Sequence, residues 1–493
     1  MICRKIYHQN SGLRQTVCRW FQSCVAPVTP ATATVCSGKR MHFLRNYTAS
    51  FCSYTKIEEG SKGYHLSDIE ERINEMNKDL DNSSIKSRTI FKVNVSLRKS
   101  NPLTYTPKMV SIGPYHRKNP QLGSMENYKL LYLRRFLQRK EGFDMTSCIR
   151  ELEKLKEEAL KCYDDIEDLG NDSQFCQMLL LDGCFVVEFI RECCKMCPEG
   201  EEEIIRFASY ICHQIFRDLM LLENQLPFFV LNKLHDMTKQ DDDLPLLLLV
   251  NDSIIFFVDL PNMIRESFKN TKDSIKHLLH AVHIASCHGQ HPKKNLKYDI
   301  KRNKVMPNAT ELSQAGVSFV KAGLHDKLGD KTSLFDSIKF ENGLMTIPCF
   351  RVYDGTETIL RNLIAYEQQS SDVQYKYFTD FAAFMDHLID SEKDVSLLRQ
   401  KGIIENWMGE DKEVASLFNK SGHGITTYSD FYYKEECLKA AKHYEKPWNR
   451  MKASLRHNYF NSPWKGASTT AAIILLILTA IQTIPVIKIF KCK

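Results

Sequence analysis

The sequence predicts a mainly α fold, with one large helical domain, a small antiparallel β-hairpin and one C-terminal transmembrane helix. Two long stretches, 174–195 and 204–234, are apolar on nearly every helical face, as buried central helices are. Strand character is confined to 334–352, where Asn342-Gly343 separates two short apolar runs and suits a type I′ turn. The third observation is the uncharged run 466–487, 22 residues long and within six residues of the end. At about 1.5 Å per residue it spans roughly 33 Å, against a hydrocarbon core of about 30 Å.

Taken in order, residues 1–64 read as a basic leader and 65–88 as a short polar helix and linker. The leader has no apolar run long enough for a secretory signal, and leaves open an organellar transit peptide, a disordered segment or an overextended start. The helical domain is expected over 89–464. Its first part, 89–116, holds Pro102, Pro107, Gly113 and Pro114 and reads as extended and turn-rich. Pro120 and Ser124 open a helix through Lys140, and Thr146 and Ser147 can cap another with a stripe of Ile149, Leu152, Leu155 and Ala159. Pro227 is expected to kink or end the second long apolar helix. The apolar stretch 244–258 is broken by Asn251, Asp252 and Ser253 and is too short to cross a bilayer. Helices are expected over 271–286 and 311–322, and everything after Thr356 reads as helical, split at Pro447. The transmembrane helix occupies 466–487, and 488–493 is a short basic tail.

The chain has 493 residues, 43 % of them hydrophobic and 26 % charged, as folded globular proteins have. Its net charge of +7 is unevenly placed. The first 57 residues carry eight Lys and Arg and no acid, and 434–493 carry eleven basic and three acidic residues. The body between is therefore acidic, which argues against nucleic acid as a partner. Seventeen cysteines scattered through apolar helices suit a reduced, cytosolic domain rather than a disulfide scaffold. Seven Asn-x-Ser/Thr sequons, at Asn46, Asn82, Asn94, Asn171, Asn251, Asn308 and Asn419, would be glycosylation sites if the body were lumenal.

No nucleophile elbow, phosphate loop, dinucleotide fingerprint or His-Glu-x-x-His helix is present, so no motif proposes an enzyme and no catalytic residue is assigned. His277, His280, His283, Cys287, His288 and His291 could supply metal ligands, but helical steps of three rotate successive rings apart; Cys193, Cys194 and Cys197 lack a second pair. No metal or cofactor is assigned. Asp182, Glu188, Glu223 and Glu367 sit in apolar runs, where an unpaired charge is costly. Two of them converging could act as acid and base. A structural polar network, with Asn224, Gln225 and Gln368 as partners, is the favoured expectation.

Near the apolar run, Lys439, Lys442, Lys446, Arg450, Lys452 and Arg456 alternate with Tyr444, Trp448, Tyr459, Phe460 and Trp464. Trp464 and Lys465 flank the run on one side and Lys488 on the other. Such residues suit the headgroup layer of an anionic leaflet, so membrane lipid is the expected partner.

Several ordered motifs carry a resemblance. They are Val110-Ser111-Ile112-Gly113-Pro114-Tyr115-His116, Met125-Glu126 with Lys129, Leu181-Asp182-Gly183-Cys184-Phe185, and Asp218 with Leu222-Glu223-Asn224-Gln225-Leu226-Pro227-Phe228-Phe229. Ala309-Thr310-Glu311-Leu312, Asn362-Leu363-Ile364-Ala365 with Glu367-Gln368, and Pro463-Trp464 follow. The chain over about 89–487 resembles the plant family called domain of unknown function 247, or uncharacterised protein family 0481, departing from it at Val93-Asn94, where the family usually has Val-Pro. The resemblance implies a mostly helical protein with one C-terminal membrane segment and no established activity. Some grass relatives are implicated as male determinants of self-incompatibility, so it implies a recognition or signalling role with an unidentified protein partner. The expected placement is a plasma membrane or endomembrane, single-pass, with the body cytosolic.

Overall fold

A computed structural model describes residues 72, 88–166, 171–196, 203–205, 210–258, 275–287, 306–322, 335, 337–425, 431–459 and 463–491. All but residue 72 belong to one unit, Asn74–Lys493. The leader, most of 65–88, Cys197, His288, His291 and the sequons at Asn46 and Asn82 lie outside the described residues, as do the side chains of Arg456 and Lys488. The fold is mainly α.

Residues 88–116 form an extended strap, interrupted by the four-residue helix α1 (Val95–Arg98) and a 3₁₀ turn at Pro102–Tyr105. Beyond it come α2 (Ser124–Gln138), α3 (Met145–Lys161) and α4 (Asp172–Cys193), then α5 (Tyr210–Leu219), α6 (Phe228–Thr238), α7 (Leu246–Phe257) and α8 (Leu278–Cys287). Helix α4 is the central element and packs against α2, α3, α6 and α7. Asn171 starts it with a capping box closed by Gln174, and most of the following side chains are buried. Helix α3 is capped by Asp144, whose carboxylate accepts from Ser147 N, so it begins before the Thr146-Ser147 cap expected from sequence. An acidic cap also complements the helix dipole.

The second long apolar stretch is two helices, and the break comes at Leu219 rather than at Pro227. Side-chain amides end α5. Asn224 donates to Asp218 O (3.0 Å), and Gln225 donates to Leu219 O (2.6 Å) and Leu221 O (2.8 Å), satisfying carbonyls that a continuing helix would have used. Of the expected 271–286 helix, 271–274 lie outside the described residues, 275–277 are not helical, and α8 runs from Leu278 to Cys287; Lys276 O, just before it, accepts from Phe228 N (2.7 Å).

The 311–322 helix is corrected too. Helix α9 (Ala309–Gln314) stops at Gly316, whose φ is +94°, and β1 (Ser318–Lys321) follows. Strand β1 pairs in parallel with β3 (Leu344–Ile347), which pairs antiparallel with β2 (Lys339–Glu341). The β2–β3 link is the expected hairpin, with Asn342 at φ 50° and Gly343 at φ 82°. Strand β4 (Phe350–Val352) pairs in parallel with β5 (Ile404–Asn406), so the region after Thr356 is not wholly helical. Around these strands lie α10 (Thr356–Gln369), α11 (Tyr377–Leu388), α12 (Glu392–Gln400) and α13 (Asp411–Ser421), followed by α14 (Lys434–Glu445) and α15 (Pro447–Tyr459), split at Pro447 as expected.

The last helix, α16 (Pro463–Lys491), contains Trp464–Gln482 with a mean hydropathy of 1.6 and none of that window buried. It is long and apolar enough to cross a membrane. Helix α4 passes the same test of length and composition, but 78 % of its window is buried, which makes it a core helix.

Candidate functional site

The buried polar residues singled out in the sequence converge on the strap. Asp182 reaches from α4 to accept from Gly113 N (2.9 Å) and from Lys129 Nζ (2.7 Å), and Lys129 also donates to Ser111 O (2.7 Å). Burial pushes the Asp182 carboxyl up against the opposing pull of Lys129. The lysine is held above its ordinary value by Asp182 and Glu126 although it is itself buried. Gly113 sits at φ +76°, and a Cβ there would stand 2.6 Å from Gln225 O, so only glycine lets the strap lie this close.

Glu223 accepts from Val93 N (2.6 Å), His116 Nε2 (3.0 Å) and the Arg98 guanidinium. Burial opposes its ionisation, but His116 and Arg98 hold the carboxyl below its usual range. Next to it, Asn224 accepts from Ile112 N (2.7 Å) and donates to Val110 O (3.0 Å). Gln225, whose amide group bonds the end of α5, takes Leu279 N (3.3 Å) on its side-chain oxygen.

Sequence reasoning passed over two of the strongest staples. Asp218 accepts from the backbone amides of Lys108 (2.9 Å), Met109 (2.6 Å) and Val110 (3.1 Å) and from Arg217 (2.6 Å). Asn362 on α10 donates to Thr104 O (2.8 Å) and accepts from Leu222 N (2.9 Å). Gln369 pairs with both Asn94 N (2.9 Å) and Lys92 O (2.8 Å), closing the strap onto the same helix. For Asp218 and Asn362 the signal was a polar residue next to an arginine in an otherwise apolar run; Gln369 lies in the polar run 367–372 and gave none.

The remaining carboxylates do not face the strap. Glu188 accepts from Arg139 (2.6 Å) and Arg191 (2.7 Å); Arg191 in turn contacts His235 and Thr238. Burial and then Arg191 lower the His235 pKa to about 4. Glu192 takes Tyr132 (2.9 Å), Arg135 and the amides of Ile204 and Ile205. Glu367 accepts from Phe378 N (2.9 Å), Thr379 N (2.8 Å) and Thr379 Oγ1 (2.9 Å), and meets His283 Nε2 at 3.0 Å. Gln368 joins through Thr379 Oγ1 (3.3 Å). Asp182, Glu188, Glu223 and Glu367 are thus held in four separate settings. Asn224 and Gln225 bond backbone rather than any of them.

Of the six metal candidates, His277 precedes α8 rather than lying on it, and the rings of His277, His280 and His283 gather around Tyr366 at 5.2–5.5 Å. Burial lowers His277 to about 3 and His280 to about 2. Cys287 Sγ lies 3.8 Å from His283 Nε2, the same nitrogen that meets Glu367, so one ring atom serves both and no relay through the imidazole forms. Burial pushes that thiol well up. Among the described residues, no group of three or more His, Cys, Asp or Glu is placed to hold a metal ion.

The five described sequons also have structural settings. Asn94, Asn171 and Asn308 are N-caps, Asn419 donates to Asp390 O (3.2 Å), and Asn251 is fully buried. At the far end, Arg450, Lys452 and Lys465 are exposed, and Trp464 is 85 % exposed. Arg450 also borders a cleft of about 420 Å³ with Thr310, Glu311, Lys393, Asp394 and Tyr444. None of the four apolar-run carboxylates lines it.

The sequence pattern of DUF247, a plant protein of unknown function, matches residues 90–478. The chain belongs to this family. It is 27 % identical over 445 residues to the UPF0481 protein At3g47200 of Arabidopsis thaliana, covering 82 % of this chain and 87 % of that one. With the putative UPF0481 protein At3g02645 of the same plant it shares 24 % over 484 residues, 80 % and 89 % of the two chains. No solved structure matches. In this DUF247 protein, several of the motifs that carried the resemblance meet in space, since 110–116 is the end of the strap and Lys129, Asp182, Asp218, Asn224 and Asn362 are among the side chains that fasten it.

Proposed function

We propose that this DUF247 protein is a single-pass, membrane-anchored recognition or signalling protein whose helical body faces the cytosol and binds a protein partner without catalysis. The observation that carries the reading is α16, with Ile473, Ile474, Leu475, Leu476, Ile477 and Leu478 each about half exposed or more, an arrangement that water disfavours and hydrocarbon accepts. Its flanking Trp464 and Lys465 suit an interface. The buried carboxylates support the non-catalytic part, because each is held by internal donors and none lines the cleft. Reduced cysteines and the buried Asn251, which has no room for a glycan on Nδ2 in this fold, favour the cytosolic side. The resemblance to recognition proteins of grass self-incompatibility supports the role in recognition.

The test is protease protection of the full chain, tagged at each end, in plant microsomes, with glycosidase treatment and alkaline carbonate extraction alongside. The proposal expects a carbonate-resistant protein whose body is digested and carries no glycan. A protected, glycosylated body overturns the cytosolic placement, and extraction into carbonate overturns the anchor.

A further inference from the structure

Helix α15 carries an apolar face that the body does not cover. Trp448 is 73 % exposed, Met451 47 % and Leu455 46 %. At about 100° per residue these three fall within an arc of roughly 60°, and Ala453, which is buried, lies roughly opposite. The helix therefore rests on the body through its small residue and turns its large ones outward. It touches α9 and α14 on the body side and also α16.

The occupant of that face follows from its position and charge. Helix α15 ends at Tyr459 and the apolar window of α16 begins at Trp464, so only four residues separate the helix that carries the face from the segment read as crossing the membrane. No acidic residue occurs after Glu445, whereas Lys446, Arg450, Lys452 and Lys465 do, with exposed side chains. Lys452 reaches toward the turn at Gly316, and Arg450 shares the cleft with Glu311. Lys446 and Lys465 bracket the helix at its two ends. A tryptophan with aliphatic neighbours on one side and lysines at the ends is the composition of a helix lying in a headgroup layer.

We propose that α15 lies along the anionic leaflet that α16 enters, with Trp448, Met451 and Leu455 inserted at the headgroup boundary, so that the body is held against the membrane instead of swinging from it. This rests on the reading of α16 as a membrane span. The full chain, reconstituted in phosphatidylcholine–phosphatidylserine vesicles, is made with Trp448 alone (W20F, W407F and W464F) and, separately, with Trp464 alone. Tryptophan emission is then compared in ordinary and in brominated lipid. At least a twofold loss for both tryptophans supports the inference. Loss at Trp464 with none at Trp448 overturns it while leaving the anchor standing, and if Trp448 is then also shielded from aqueous iodide, the face belongs to a protein contact. No loss at either residue overturns the anchor and the inference together. A Leu455→Trp variant in a background with no other tryptophan repeats the reading two turns further along, so one ill-folded variant does not decide the matter.

Discussion

Replacing Asp218 by Asn should loosen the middle of the strap without unfolding the body. The carboxylate is fully buried, and its Oδ2 accepts the amides of Lys108, Met109 and Val110 while Oδ1 takes Arg217. The amide keeps one acceptor oxygen. If that oxygen turns to the strap, the new NH₂ faces the Arg217 guanidinium, donor against donor; if it turns to Arg217, the amides of Met109 and Val110 lose their acceptor and Lys108 N keeps only its longer bond (3.1 Å). Hydrogen bonds to a charged group contribute about 1.5–3 kcal/mol against about 1 for neutral ones, so the loss at the strap should be about 2–3 kcal/mol. At about 1.4 kcal/mol per tenfold, the amides of 108–110 should exchange with deuterium roughly 30- to 150-fold faster wherever exchange proceeds by local opening. Mass-spectrometric exchange on the full chain in detergent reads this, with α12 as the unaffected reference. Unchanged exchange at 108–110 would refute the idea that buried side chains, rather than neighbouring backbone, hold the strap.

Lys129→Met should cost about 3–5 kcal/mol in urea unfolding, because Asp182 keeps only Gly113 N as a partner, and adding Asp182→Asn should recover at least half; no recovery would deny the pair its coupling. Gly113→Ala should destabilise by more than about 2 kcal/mol, since it meets both a left-handed backbone and a main-chain oxygen, whereas Gly183→Ala, which meets the end of the Leu234 side chain, should cost about half of that; equal effects would contradict the difference. The body should also lose stability in acid. His235 and His277 are fully buried with pKa values lowered to about 4 and about 3, so the unfolded chain binds their protons first, near pH 6.5. Their contribution is complete above that pH and declines as pH falls toward 4 and then 3, by about 1.4 kcal/mol per unit for each ring. Urea midpoints at pH 7.5 and 5.5 should therefore differ by at least about 3 kcal/mol in stability, His280 acting in the same direction, and equal midpoints would mean that the rings are not buried as neutral bases.

The helices were legible in the sequence because their apolar period is local. So was the Asn342-Gly343 turn, where two adjacent residues with positive φ dictate the link. Strands β1 and β5 were not, since each is three or four residues long and pairs in parallel with a remote partner, leaving no period to read; β4 falls within the expected 334–352 stretch, but its pairing with β5 was not foreseen. The break at Leu219 was missed for a related reason: Asn224 and Gln225 act as caps by folding back over carbonyls, and a proline three residues on was the louder signal. Of the site, the cost of a charge in an apolar run pointed to Asp182, Glu188, Glu223 and Glu367. It could not say that Asp182 and Glu223 serve the strap while Glu188 and Glu367 serve helix contacts, because most of the donors lie 49 to 130 residues away.

The strap has a consequence for how the chain is made. Its bonds to α10 join residues 256 to 277 positions apart. At about 5–20 residues per second, its backbone groups leave the ribosome roughly 13 to 55 s before their partners are synthesised. During that wait, Val93, Leu97, Tyr105, Val110 and Ile112, all buried in the finished protein, have no complete surface to pack on. Slow closure is expected of such long-range contacts. The segment that locks the native body is thus also the one most in need of a chaperone while the rest of the chain is being translated.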